Sequence, residues 1–188
     1  MPDGLKSTSS PITISQHVVQ GVANTFEVSP IDLQLNPLDN EVFVVTGVKI
    51  DFLDLPRPDV TVLGFDQGDF TASITTTRPT SQVGIGSSTC IASSRINYLS
   101  DMGDSTPAAS GLLEFKTLNY VQENAQDAPP ASMEYLHIIA TNDFFINLSS
   151  TNSPVQKVNT NIRIYGYRAR ATTGALYAAL VQSELLSS

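Results

Sequence analysis

Hydrophobic and polar residues alternate with a period of two along most of this 188-residue chain. The first run, Ile12 to Gln20, puts Ile12, Ile14 and Val18 on one face and Thr13, Ser15, His17 and Val19 on the other. A run from Val22 to Val28 follows, and Ser29-Pro30 is expected to interrupt it. Ile31, Leu33 and Leu35 then alternate with Asp32, Gln34 and Asn36, the signature of a half-buried strand. Asn36-Pro37-Leu38-Asp39-Asn40 has the composition of a turn. Glu41 to Leu55 is the most strand-like stretch, with Val42, Val44, Thr46, Val48 and Ile50 expected on one face and Phe43, Val45 and Gly47 on the other. Apolar residues on both faces predict a central strand covered on each side. Pro56-Arg57-Pro58-Asp59 ends it, because proline cannot donate to a ladder.

Shorter strand patterns span Val60 to Phe65, Phe70 to Thr77, Thr89 to Leu99 and Gly111 to Val121. After a polar loop at residues 122–132 come Met133 to Thr141, Phe144 to Ser149 and Val155 to Ala171. Nine or ten short strands without intervening helices predict an all-β antiparallel sandwich, and eight of them in two facing sheets make a jelly roll. Only the C-terminus changes period. Leu176, Tyr177, Leu180, Val181 and Leu185 recur at helical spacing behind a capping region at Thr172-Thr173-Gly174. The predicted organisation is an N-terminal arm (1–10), a jelly-roll sandwich (11–171) and a C-terminal helix and tail (172–188). A helix over 174–186 would be roughly 20 Å long. Its apolar stripe needs a cover, supplied either by its own domain or by a neighbour, and its five residues are the candidate assembly interface.

Composition adds a direction. Charged residues are 15% of the chain, against about 25% in ordinary domains. Ser and Thr stand where Lys and Glu usually do, and hydroxyls are cheaper to bury against neighbours than charges. The balance leans towards an assembling protein. The formal net charge is −8, with ten scattered basic residues of which only Arg163, Arg168 and Arg170 fall close together. Nucleic-acid binding needs clustered cations, so it is not expected. No apolar run is long enough to cross a bilayer. Cys90 is the only cysteine, and Met1-Pro2-Asp3-Gly4-Leu5-Lys6 lacks the layout of a signal peptide, so synthesis in a cytoplasm is expected. Asn147-Leu148-Ser149 matches a glycosylation sequon that this compartment would leave unused.

Candidate chemistry is sparse. His17 and His137 both lie in predicted strands, and no Gly-x-Ser-x-Gly elbow frames a nucleophile. Cys90 reads as a buried inert thiol. Clustered Cys and His for zinc are absent from the sequence. Asp66-Gln67-Gly68-Asp69 and Asp101-Met102-Gly103-Asp104 each place two carboxylates around a glycine turn, a partial calcium pattern without the EF-hand spacing. Gly84-Ile85-Gly86-Ser87-Ser88 lacks the lysine and following helix of a phosphate loop and reads as a mobile turn. Tyr98, Tyr120 and Tyr135 are the candidates for stacking a sugar ring. No catalytic residue, cofactor or metal is nominated.

A jelly roll of this size, with no signal peptide and no catalytic set, resembles the small major capsid proteins of tailless icosahedral viruses, above all the single jelly-roll capsid proteins of archaeal and bacterial viruses with internal membranes. The resemblance covers residues 11–171 and rests on size, strand pattern and composition. It implies a self-assembling shell subunit of the virion, made in the host cytoplasm. Its implied partners are copies of itself, other capsid proteins and a nearby membrane. The arm and the helix would reach neighbours, and the loops at 56–59, 79–88 and 122–132 would line the rim. Residues 1–10 hold only Lys6, where many relatives that bind genome directly carry a basic arm. The alternative is a non-catalytic binding module, recognising a receptor or carbohydrate or decorating a capsid.

Overall fold

The computed structural model describes residues 2–54, 56, 64–102, 117–123, 126–128, 133–151 and 156–186. Among these, eleven strands and one α-helix follow in order: β1 (Leu5–Ser7), β2 (Ile12–Val19), β3 (Phe26–Asp32), β4 (Glu41–Phe52), β5 (Gly64–Thr75), β6 (Cys90–Met102), β7 (Thr117–Glu123), β8 (Gln126–Asp127), β9 (His137–Ile139), β10 (Asp143–Thr151), β11 (Asn159–Ala171) and α1 (Gly174–Leu186). In the first sheet β11 pairs with β4 on one side and with β2 and β1 end to end on the other, while β4 carries β9 and β8 on its far edge. The second sheet runs β3-β10-β5-β6-β7. Without the short β1 and β8 and the outermost β7, the orders are β2-β11-β4-β9 facing β3-β10-β5-β6, antiparallel throughout. The chain changes sheet at every connection between these eight strands except β5 to β6. That order is a jelly roll, as the period-two pattern anticipated.

The sandwich core joins Phe43, Val45, Val48 and Ile50 of β4 and Ile162 and Ile164 of β11 to Phe70, Ala72, Ile74, Phe144, Ile146 and Leu148 of the second sheet. Strict alternation would put Phe43 and Val45 opposite Val48 and Ile50. They share a face because Gly47 pairs with Tyr165 while Val45 pairs with Gly166, leaving Thr46 as the extra residue of a β-bulge. The bulge corrects the expected face assignment. Before it, Val42 and Val44 point outward into a second cluster with Leu5, Ala140, Ala169 and Ala171. After it, the outward residues are the exposed Lys49 and Asp51. The outer face of this sheet is therefore apolar at one end and polar at the other.

Other expectations need adjustment. Pro30 does not interrupt β3, which pairs with β10 from Phe26 to Asp32. β3 is an edge strand among the described residues, where a missing N–H is tolerated. Leu33 and Leu35 are buried but lie beyond its end. Asp66-Gln67-Gly68-Asp69 is not a turn; it lies within β5, paired with Leu99 and its neighbours on β6. The pattern predicted for Val60 to Phe65 begins outside the described residues, and Gly64 and Phe65 open β5. Asn147 is fully buried in β10 and donates to Thr75 Oγ1 at 3.0 Å and Ser73 Oγ at 3.3 Å, which closes the sequon to any glycan in the folded state.

One end of the sandwich is closed by Arg168, whose guanidinium donates to the Leu33 carbonyl at 2.7 Å and the Gln34 carbonyl at 3.2 Å and pairs with Glu41 at 3.1 Å. Towards the other end, the buried Gln20 side chain accepts from Ser150 Oγ at 2.9 Å and Val158 N at 3.0 Å and donates to the Thr25 carbonyl at 2.6 Å.

Candidate assembly surface

Helix α1 begins where Thr173 leaves the extended strand. The Thr173 side chain accepts the Leu176 N–H at 3.2 Å, and its carbonyl accepts the Tyr177 N–H at 3.2 Å, an N-cap arrangement. Leu176, Tyr177, Leu180 and Val181 then pack onto the outward cluster of Val42, Val44, Ala169 and Ala171, alongside Tyr135, Ile138 and Tyr167. Four of the five candidate interface residues are thus held against the chain's own sheet. Leu185, the fifth, is 56% exposed. It borders a shallow hollow of about 240 Å³ with Arg78, Asn142 and Phe145. Part of the expected arm is also held at home. Leu5 is buried, Leu5–Ser7 pairs with Ala169–Ala171, and Gly4 accepts the Thr172 N–H at 2.9 Å. Gly4 has φ +79°, and a Cβ there would stand 2.6 Å from Leu176 Cδ2, so the helix and the N-terminal turn meet at a position only glycine fills.

Glu184 locks the end of the helix. Its carboxylate accepts the Ala140 N–H at 2.8 Å, the Thr141 N–H at 3.1 Å and the Thr141 hydroxyl at 2.6 Å. These groups lie between β9 and β10, where no ladder serves the two amides, and the carboxylate supplies the acceptor. Glu184 is 5% exposed, and burial raises its pKa above the ordinary carboxylate value while the three hydrogen bonds pull it back. Tyr177 Oη donates to the Ala140 carbonyl at 3.3 Å; burial first, and the Glu184 charge second, raise its pKa. Glu184 stands out in the sequence only weakly. Its signal is a carboxylate seven residues after Tyr177, on the stripe that Leu180 and Val181 continue.

His137 of β9 lines a hollow of about 200 Å³ with Glu184, Ser183 and Ser88, and burial lowers its pKa. Both Glu184 oxygens are taken up by Ala140 and Thr141, one by the two backbone amides and the other by the Thr141 hydroxyl. His17 is exposed on β2, its Nε2 2.8 Å from Asn159 Oδ1. Cys90 is half-buried, with its sulfur 3.4 Å from the Ala92 carbonyl. Asp69 pairs with Arg95 at 2.7 Å. Asp104 and the loop at 57–59 lie outside the described residues, as does most of 124–132. Among the described residues, no three His, Cys, Asp or Glu side chains converge as metal ligands. At Gly84–Ser87 the chain makes a tight turn closed by Ser87 N to the Gly84 carbonyl at 3.1 Å. Of the tyrosines considered for stacking, Tyr98 is buried and Tyr135 packs beside the helix cluster.

Beyond α1 the outer face of the first sheet is uncovered among the described residues. Ladder register sets Ser15, Arg163 and Lys49 in one row and His17, Asn161 and Asp51 in the next. All six are exposed, and they surround a hollow of about 410 Å³. Tyr165, 38% exposed, stands in the adjoining row opposite Thr13 and Gly47.

No family model and no curated protein matches the chain. Among solved structures it is similar to VP1 of trichodysplasia spinulosa-associated polyomavirus in complex with GM1 oligosaccharide, at 7% identity and a TM-score of 0.41, over 87% of this chain and 95% of that one. It is also similar to the unassembled pentamer of Merkel cell polyomavirus VP1, at 8% identity and a TM-score of 0.37, over 88% and 97%.

Proposed function

We propose that this chain is a structural virion protein, a non-enzymatic shell subunit that assembles with copies of itself. The observation that carries the reading is the strand order β2-β11-β4-β9 facing β3-β10-β5-β6, a double-sheet architecture that viral capsid, lectin and cupin domains share. Within that set, the low charge of 15% favours burial of large lateral surfaces. The tyrosines that a lectin would offer to a sugar are partly spent internally, Tyr98 in the sandwich and Tyr135 beside α1. Symmetry lets modest contacts suffice, because each is repeated around a closed ring or lattice. The virion is then its site of action and the host cytoplasm its site of synthesis.

The arm, sandwich and helix keep distinct roles here. Residues 11–171 form the building block, while Leu185 and the outer edge of α1 are the parts of the candidate interface left to meet a neighbour. The experiment is light scattering with negative-stain imaging across protein concentration and salt. Rings or closed particles that grow with concentration are expected. A strict monomer of 20.2 kDa under every condition overturns the reading.

A further inference from the structure

Lys49 and Arg163 stand directly opposite each other in the β4–β11 ladder, and both are exposed on the outer face among the described residues. Like charges in that position repel and destabilise a sheet. Three other arginines are neutralised at close range, Arg95 by Asp69 at 2.7 Å, Arg168 by Glu41 at 3.1 Å and Arg170 by Asp39 at 2.7 Å. The exposed Arg78 stands alone, with no second cation opposite it among the described residues. Neither Lys49 nor Arg163 has an ion pair among the described residues. In a chain of net charge −8, an unneutralised cation pair under a hollow of about 410 Å³ asks for an anion.

We propose that this hollow binds the phosphate or carboxylate group of a small soluble molecule between Lys49 and Arg163. The guanidinium supplies a planar fork that matches two oxygens of such a group, and the ammonium supplies a mobile point charge. Ser15, opposite Arg163 on the β2 side, adds a neutral hydroxyl donor to the same row. Asp51 belongs to the next row, opposite Asn161. Its carboxylate repels the anion, so the anion sits towards Ser15 and away from His17. The inference is independent of the shell reading.

The test uses the full chain at low ionic strength, titrated separately with inorganic phosphate and with citrate, by calorimetry and backbone amide shifts. Saturable binding with a Kd on the order of a millimolar is expected for at least one probe, with shifts confined to β2, β4 and β11. The two titrations tell a phosphate from a carboxylate preference. Lys49→Gln and Arg163→Gln should each weaken binding about tenfold, Asp51→Asn should tighten it severalfold, and added salt should weaken it. Both glutamine variants should unfold at the wild-type temperature or above it, since each relieves a repulsion. No saturable binding of either probe, or binding that both glutamine variants leave unchanged, overturns the proposal.

Discussion

A Cβ on Gly166 would stand 2.4 Å from the carbonyl oxygen of Val44. The same atom would lie 2.7 Å from the ring of Phe43, a buried residue of the sandwich core. Backbone cannot yield there without breaking the β4–β11 ladder beside the bulge. Gly166→Ala should therefore destabilise the fold by about 2 to 4 kcal/mol, by overpacking. Urea unfolding measures it, and a change within about 0.5 kcal/mol would show that the bulge accommodates the methyl group.

Removing Thr46 tests the bulge from the other strand. Without it Val45 and Gly47 become neighbours opposite Gly166 and Tyr165, so the ladder closes in regular register. Strict alternation then keeps Phe43, Val45, Val48 and Ile50 on the core face with Lys49 and Asp51 outside. The deletion variant should therefore still unfold cooperatively in urea, with a regular β4–β11 ladder. Loss of cooperative unfolding in the deletion variant would sink this account of the bulge.

Glu184 is the sole side-chain acceptor for two backbone amides among the described hydrogen bonds. Glu184→Ala leaves both unpaired and should cost about 2 to 3 kcal/mol. Hydrogen exchange at Ala140 and Thr141 should accelerate sharply, because these amides lose their partner directly. Glu184→Gln keeps a carbonyl acceptor and should cost about 1 kcal/mol. Unchanged exchange at both amides in the alanine variant would mean that the helix end is held by its apolar stripe alone.

Two titratable groups at this junction, the half-buried His137 and the buried Glu184, act in opposite directions with pH. His137 has a lowered pKa in the folded state, so unfolding takes up protons as the medium becomes acid. Its share of stability is present above the ordinary imidazole pKa and is lost as pH falls through the folded value. Glu184 has a raised pKa, so its folded form holds a proton longer than its unfolded form. Its share is present below the ordinary carboxylate pKa and is lost as pH rises through the folded value. Stability curves against pH for His137→Gln and Glu184→Gln should therefore flatten on opposite sides. Identical curves for the wild type and both variants would be the contrary result.

Leu185 separates assembly from folding. It is 56% exposed, so Leu185→Asp should leave stability within about 0.5 kcal/mol while lowering the assembled fraction in light scattering. Deleting residues 174–188 is a blunter test, since it also uncovers Val42 and Val44. Full assembly of the Leu185→Asp protein would remove this residue from the interface.

Alternation with a period of two is written into neighbouring residues, and it was enough to identify an all-β sandwich and most of its strands. The helix was equally legible, since Thr173 and the stripe from Leu176 to Val181 are local signals. Two kinds of feature were not. Pro30 stays in β3 because no strand lies beyond that edge among the described residues, and only the strand order says so. Glu184 is buried because the Ala140–Thr141 amides, more than forty positions away along the chain, need an acceptor there.

By itself the sequence determined which segments are extended, where the one helix starts and that its stripe needs a cover. The tertiary structure decided what provides that cover and which way β4 faces. An extra residue at Thr46 changes no local propensity, yet it turns every side chain beyond it over relative to the period-two alternation of β4 itself, which keeps both halves of β4 in step with β11. The face each residue takes depends on what stands opposite, here the small Gly166 beneath Phe43, and that is fixed only when strands distant in sequence come into register.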